Sequence, residues 1–244
     1  MSGTKSTLSI IMPALNEEAN IRDAVAEAIA AVGDRFSDYE ILLFDDGSRD
    51  RTGALMDELA RGNPRIRVTH NPTPRNLGVV YRQGVDMARY EHVVMIPGDN
   101  ENPSAAMQAP FEAVGSADMV VPYPETAQAR SWARKLLSRT YVALLNWLAG
   151  RRLRYYNGTV IHRTENLRRL GSWTQSFAYQ SEILLKLLAA GKTCREVPIE
   201  VAPKPGRRSK AFRPKNVLLV VGTLARLTVA MRLRRPADVE VHAP

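Results

Sequence analysis

Two carboxylates stand two residues apart in the run Met95-Ile96-Pro97-Gly98-Asp99-Asn100-Glu101-Asn102-Pro103, directly after the apolar stretch Val93-Val94-Met95-Ile96. In an open α/β sheet, the carboxyl ends of the strands are where ligands bind. Acids placed there are hard oxygen donors, suited to a divalent cation, Mg2+ or Mn2+, that itself holds a diphosphate. One acidic turn is commonplace, usually a solvated cap. Two further strand-to-acid junctions give this one weight. Leu8-Ser9-Ile10-Ile11-Met12-Pro13 runs into Ala14-Leu15-Asn16-Glu17-Glu18, and Tyr39-Glu40-Ile41-Leu42-Leu43-Phe44 runs into Asp45-Asp46-Gly47-Ser48-Arg49-Asp50.

The elements that must carry these acids follow from periodicity. Ile21, Val25, Ala28 and Ile29 share one helix face, and Leu55, Met56 and Leu59 another. A strand over 65–70, a helix over 77–88 and the strand over 93–96 complete an alternation that predicts a mostly parallel sheet with right-handed crossovers. A chain of 244 residues, 45% hydrophobic, can build a substantial core in one large domain or two small ones. Cys194 is the single cysteine, which excludes an intrachain disulfide and a thiolate metal cluster and fits an inert thiol in a reducing cytosol. Residues 1–7 lack the basic-plus-apolar signature of a secretory signal, so the glycosylation sequon Asn157-Gly158-Thr159 carries no weight.

The net charge of +9 is concentrated in the C-terminal half. Between 204 and 235 there are ten Lys and Arg and no acid, and Arg130, Arg134, Lys135, Arg139, Arg151, Arg152 and Arg154 form a second zone. Such asymmetry points to a polyanionic partner, against the plainer reading of a solvated face. The apolar run 217–225 is far short of the roughly 20 residues that cross a bilayer. It fits an amphipathic helix over 214–235 lying on an anionic membrane surface, with a helix over 132–148 in the same plane and Trp132, Tyr141 and Trp147 as anchors. The alternative for both is packing on the sheet or in a homodimer interface. No nucleic-acid-binding motif is present, and the residues between the charges are aliphatic rather than stacking aromatics.

In order, Pro13-Ala14-Leu15-Asn16-Glu17, Asp45-Asp46-Gly47-Ser48-Arg49-Asp50-Arg51-Thr52, Asn76-Leu77-Gly78 with Gly84, and Gly98-Asp99-Asn100-Glu101 resemble the family-2 inverting glycosyltransferases. The branch most resembled is that of the dolichyl-phosphate mannosyltransferases and polyprenyl-phosphate glycosyltransferases. Glu196-Val197-Pro198-Ile199 followed by Lys204-Pro205-Gly206-Arg207-Arg208-Ser209-Lys210 is similar to that branch's E-V-P-I … R-x-x-G-x-S-K segment, with Lys204 where arginine is usual. The resemblance implies a GT-A (Rossmann-like) α/β fold over 1–213, its nucleotide-sugar half at about 1–123 and its acceptor half at about 124–213, followed by the 214–235 helix and a tail. It also implies a nucleotide sugar bound by Pro13, Leu15, Glu17, Asp45 and Asp46 at base and ribose. Gly98, Asp99 and Glu101 would hold the diphosphate and its metal, and Lys204 and Lys210 would reach the phosphates. Asn157, Arg163 and Arg207 would face the acceptor. Where the family reads D-A-D-x-Q, this chain reads Pro97-Gly98-Asp99-Asn100-Glu101, so the first acid is missing and Glu101 takes the glutamine position.

The implied reaction is an in-line displacement at the anomeric carbon, for which Asp99 and Glu182 are the catalytic candidates. A lipid-phosphate acceptor is already largely ionised near neutral pH and needs no base, whereas a sugar hydroxyl does. Glu182 is a base for the second case or a first-turn acid favoured by the helix dipole. His162, beside the apolar Val160-Ile161, is expected to be structural. The resulting expectation is a cytoplasmic enzyme, peripheral on the membrane face, moving a hexose to a polyprenyl phosphate. Transfer to a sugar or natural-product hydroxyl is the alternative within enzymes. A catalytically degenerate basic binding protein is the alternative outside them. A nucleotidyltransferase would want a Gly/Arg-rich phosphate loop near the N-terminus, and none is present.

Overall fold

In a computed structural model, residues 5–125, 132–171, 173–175, 178–200 and, further on, 222, 223, 225, 228 and 229 are described, with 132–135 and 137 described in backbone only. The elements follow in the order β1 (Thr7–Ala14), α1 (Ile21–Val32), β2 (Asp38–Asp45), α2 (Thr52–Gly62), β3 (Ile66–His70), α3 (Leu77–Met87) and β4 (His92–Met95). Then come α4 (Ser104–Glu112), β5 (Met119–Pro124), α5 (Trp132–Ala149), β6 (Ile161–Arg163), α6 (Thr164–Arg169), α7 (Tyr179–Ala189) and β7 (Cys194–Ile199). The strands form one sheet in the order β3-β2-β1-β4-β6-β5-β7. Every ladder is parallel except the two made by β6, which runs antiparallel to β4 and β5.

Strands buried on both faces read as unbroken apolar runs, because alternate side chains enter two different cores. Leu8, Ile10 and Met12 of β1 join Ile41 and Leu43 of β2 under α1, α2 and α4. Ile11, Leu42 and Phe44 face the opposite way, into a core shared with α3, α5, α6 and α7. The expected apolar faces of α1 and α2 are the buried ones: Ile21, Val25 and Ala28, and Leu55 with Met56. The mostly parallel α/β architecture is the one expected. The N-terminus of α4 is capped from another element, the Ser104 amide donating to Glu27 Oε2 at 2.6 Å.

Among the described residues, no helix is long and apolar enough to cross a membrane. Helix α5 exposes Leu136 and Trp147, each 55% accessible. Tyr141 departs from the expected anchor role: it is only partly exposed and its hydroxyl lies 2.8 Å from Ser181 Oγ. Burial raises its pKa. Its ring packs inward because the opposite face of α5 is the one turned to solvent. The helix expected over 214–235 lies almost wholly outside the described residues.

Candidate functional site

Parallel register brings the ends of three strands level. Ala14 pairs with Asp45, and Asp45 pairs with His70. The loops leaving β1 and β2 are laced together there. Asn16 donates its amide to Ser48 Oγ at 3.0 Å and accepts the Arg49 amide at 2.9 Å. The Glu17 amide donates to Thr52 Oγ1 at 2.8 Å, and the Glu18 carboxylate accepts the Arg51 amide at 3.0 Å. Among the described residues, the two non-glycine residues with positive φ are Asn16 at 56° and Asn100 at 55°. Both lie in these strand-end loops, and asparagine tolerates that conformation better than most side chains.

Asp45 and Asp46 are buried at 8% accessibility each, and both accept hydrogen bonds. Asp45 Oδ1 accepts the Ser48 amide at 2.9 Å and its Oδ2 lies 3.1 Å from His70 Nδ1. Burial opposes ionisation of Asp45, yet the Ser48 contacts and His70 outweigh it and hold the carboxyl below its ordinary range. Asp46 Oδ1 accepts Asn71 Nδ2 at 3.1 Å and the Arg75 amide at 2.9 Å. A carboxylate offers about four lone-pair sites, so each retains capacity toward a base N–H or a ribose hydroxyl. Glu17 is also buried, its Oε2 accepting Asn20 Nδ2 at 2.6 Å. Pro13 is buried and Leu15 partly so at the same edge.

The acid turn after β4 is pressed against β1. The Ile96 amide donates to Ile11 O and the Gly98 amide to Pro13 O, each at 2.9 Å. A Cβ on Gly98 would lie 2.8 Å from Ile21 Cδ1 and 3.0 Å from the Ala14 Cβ, so only glycine lets the turn come this close. Asp99 Oδ1 accepts the Glu101 amide at 3.2 Å, with Asp99 partly exposed and Glu101 exposed. Two carboxylates on one turn fit a Mg2+- or Mn2+-sized cation that keeps water and takes phosphate oxygens as its remaining ligands. No cluster of three or more His, Cys, Asp or Glu suited to a metal exists among the described residues, so phosphates would have to complete such a site.

Two segments from the second half of the chain meet this edge. The loop before β6 is tied to the acid turn by Thr159 Oγ1 donating to Asn102 Oδ1 at 3.2 Å. Asn157 is exposed and accepts Ser181 Oγ from α7 at 2.8 Å. Residues 173–175 cover the start of α3, where Trp173 Nε1 donates to Gly78 O at 3.2 Å and a Cβ on Gly78 would come within 2.5 Å of Thr174 O. Glu182 is 1% accessible, with Oε1 2.9 Å from Lys186 Nζ and Oε2 accepting the Thr174 amide at 2.9 Å. Its carboxylate thus holds the 173–175 segment to α7.

Arg163 is not part of this constellation. It pairs with His92 at the start of β4, and its Nη1 donates to Glu91 Oε1 at 2.6 Å. Counting along β4 to Gly98 puts it roughly 20 Å from the acid turn at about 3.3 Å per residue. The physical reason is the direction of β6, which carries the chain away from Asn157 toward the opposite end of the sheet. Lys204, Arg207 and Lys210 lie outside the described residues. His162 is structural as expected: fully buried, its Nε2 2.8 Å from Gln180 Nε2.

Two groups at this end of the sheet are not marked by the sequence alone. His70 bridges Asp45 and Asp57, its Nε2 lying 3.1 Å from Asp57 Oδ1. The Asp45 hydrogen bond raises its pKa against the effect of burial, and Asp57 adds to the rise. Nothing local announces this, since the partners are 25 and 13 residues away. Arg154 lies over the Tyr123 ring, its Cζ 4.7 Å from the centroid, and its Nη1 donates to the Tyr123 hydroxyl at 2.5 Å. Its signal was present in the basic stretch 151–154, but not which arginine is held in place.

Residues 9–173 match the family described as Glycosyl transferase family 2. The polyprenol monophosphomannose synthase of Mycolicibacterium smegmatis is 29% identical over 209 residues, covering 80% of this chain and 77% of that protein. An undecaprenyl-phosphate 4-deoxy-4-formamido-L-arabinose transferase of Edwardsiella ictaluri is 29% identical over 154 residues, 61% of this chain; the match spans 46% of that relative's length. Glucosyl-3-phosphoglycerate synthase from Mycobacterium tuberculosis, solved with Mn2+, UDP-glucose and phosphoglyceric acid, superposes with a TM-score of 0.67 at 19% identity, over 91% of this chain and 80% of that one. That likeness identifies the fold, GT-A.

Proposed function

The chain belongs to glycosyl transferase family 2, and from that premise we propose that it moves a hexose from a nucleoside-diphosphate sugar to a polyprenyl phosphate with inversion at the anomeric carbon. The observation that carries the reading is the tie between the two halves of the site. The Asp99 turn sits on β1 beside the Asp45 and Asp46 loops, and Asn102 on that turn holds the loop containing Asn157. That tie supports a donor side and an acceptor side meeting at one end of the sheet. The two relatives described above are named as a polyprenol and an undecaprenyl-phosphate sugar transferase, which supports that acceptor class.

In this reading Pro13, Leu15, Glu17, Asp45 and Asp46 form the nucleoside pocket, and Asp99 with Glu101 binds the donor diphosphate through a divalent cation. Bound there, the cation would offset the negative charge that develops on the leaving diphosphate. An acceptor phosphate oxygen attacks C1 as the C1–O bond to the nucleoside diphosphate breaks, and both electrons leave with the diphosphate. A phosphate monoester has a second pKa of about 6, so no proton has to be removed. The commitment of Glu182 to Lys186 and Thr174 supports that route over a hydroxyl acceptor. Residues 1–213 act as one catalytic domain, and the 214–235 segment, with Leu136 and Trp147 of α5, rests on an anionic membrane surface at the cytoplasmic face. The test is transfer of label from GDP- and UDP-sugars, with Mg2+ or Mn2+, into a short polyprenyl phosphate. An organic-soluble, mild-acid-labile product supports the reading; hydrolysed sugar alone moves it to a hydroxyl acceptor.

A further inference from the structure

We infer that Arg154, held on Tyr123, is a binding residue for the phosphate monoester of the acceptor. The inference rests on the acceptor class proposed above and adds the residue that reads it.

β5 runs parallel to β4, because β6 is antiparallel to both. Tyr123, near the end of β5, therefore lies at the same edge of the sheet as the Asp99 turn. Arg154 belongs to the loop that Thr159 ties to that turn through Asn102.

The backbone around Arg154 is fixed on both sides. Asn146 of α5 accepts the Leu153 amide at 2.8 Å and donates to Leu153 O at 3.0 Å, and its Oδ1 also accepts the Tyr156 hydroxyl at 2.9 Å. Leu153 and Tyr156 are buried, at 6% and 0% accessibility. The Arg154 amide itself donates to Glu196 Oε1 on β7 at 2.6 Å. A loop pinned at 153, 154 and 156 presents the Arg154 side chain from a settled anchor.

The side chain is settled as well. Its guanidinium stacks on Tyr123 and donates to the hydroxyl of the same residue, which removes much of the rotamer freedom an exposed arginine would lose on binding. It remains solvent-exposed, as do Arg151 and Arg152. Unlike Arg67 and Arg163, which are neutralised by Glu40 and Glu91, the Arg154 guanidinium makes no ion pair with a described residue. A charged, oriented fork without a carboxylate partner is the arrangement that takes a phosphate bidentately.

The experiment compares wild type with Arg154→Gln, Arg154→Lys and Tyr123→Leu, using labelled donor and a short polyprenyl phosphate, with a water-soluble phosphomonoester in parallel. Arg154→Gln is expected to raise KM for the lipid phosphate about tenfold to a hundredfold, the range for a charge-assisted hydrogen bond. The donor-induced rise in Tm should stay at the wild-type value. Arg154→Lys should recover part of the loss, and Tyr123→Leu should weaken acceptor binding less than Arg154→Gln. An unchanged KM in Arg154→Gln while wild type is active overturns the inference. Should wild type label only the soluble phosphomonoester, the polyprenyl reading fails and the Arg154 effect is read on that acceptor. Should wild type label neither, equilibrium binding of short polyprenyl phosphate and of inorganic phosphate decides: equal affinity in wild type and Arg154→Gln overturns the inference.

Discussion

Acid should weaken this fold through a buried histidine before it reaches the carboxylates. His162 on β6 is fully buried, and burial pushes its pKa from 6.5 down to about 3. The imidazole is therefore neutral in the folded protein, its Nε2 accepting from Gln180 and its Nδ1 without a hydrogen-bond partner. Because the folded pKa lies below the unfolded one, the unfolded chain binds the extra proton. Stability is present in full above about pH 6.5 and is lost as pH falls toward 3. With 6.5 and about 3 as the two values, the loss is about 2 kcal/mol between pH 7 and 5, and about 3 kcal/mol by pH 4. That is a large share of the roughly 5–15 kcal/mol typical of a domain. Carboxylates with lowered pKa values, Asp45, Asp38 and Asp118 among them, act in the same direction but only below their unfolded value near 4. His92, whose pKa burial also lowers, contributes in the histidine window, so the comparison needs a variant. Urea unfolding at pH 7 and pH 5, followed by tryptophan fluorescence, should show wild type losing about 2 kcal/mol more than His162→Gln. Equal losses in the two proteins would show that His162 does not carry the effect.

Glu182→Gln should lower Tm, since it leaves Lys186 without its buried partner, while kcat toward lipid phosphate stays within severalfold of wild type; near-complete loss of turnover in a folded variant would reinstate Glu182 as a base. His70→Gln should raise the donor Kd, because Asp45 loses its imidazole partner. The folded pKa of His70 is raised, so its contribution is full at low pH and fades as pH rises through that value. Wild-type donor affinity should accordingly fall toward alkaline pH, measured by calorimetric titration, and the His70→Gln profile should be flatter.

Much of the proposed donor side is legible because it is written locally. Strands β1, β2 and β4 are buried on both faces, so each is an unbroken apolar run that ends at its own acids, and parallel pairing then sets those ends level. Helix α4 escaped the reading because Pro110 lies within it and its N-terminus is capped from α1 rather than by its own residues. The proposed acceptor side is assembled from pairings distant in sequence. Asn157 and Arg163 look like neighbours in one loop, yet a three-residue antiparallel strand separates them to different ends of the sheet. Nothing in the residues around 161 states that direction. The same holds for Arg154, whose orientation depends on Tyr123 and Glu196, 31 and 42 residues away. Glu182 read equally well as a base or a helix-end acid until its partners, Lys186 and the Thr174 amide, were known.

We propose that the Asp99 turn presents a donor sugar to a lipid phosphate. The most direct test is a single assay of wild type and Asp99→Ala, with labelled GDP- and UDP-sugars, Mg2+ or Mn2+, and a short polyprenyl phosphate, each run with and without EDTA. Label should enter an organic-soluble, mild-acid-labile product with wild type and metal, and fall to background with Asp99→Ala or EDTA. Wild-type rates in Asp99→Ala would contradict that role of the turn.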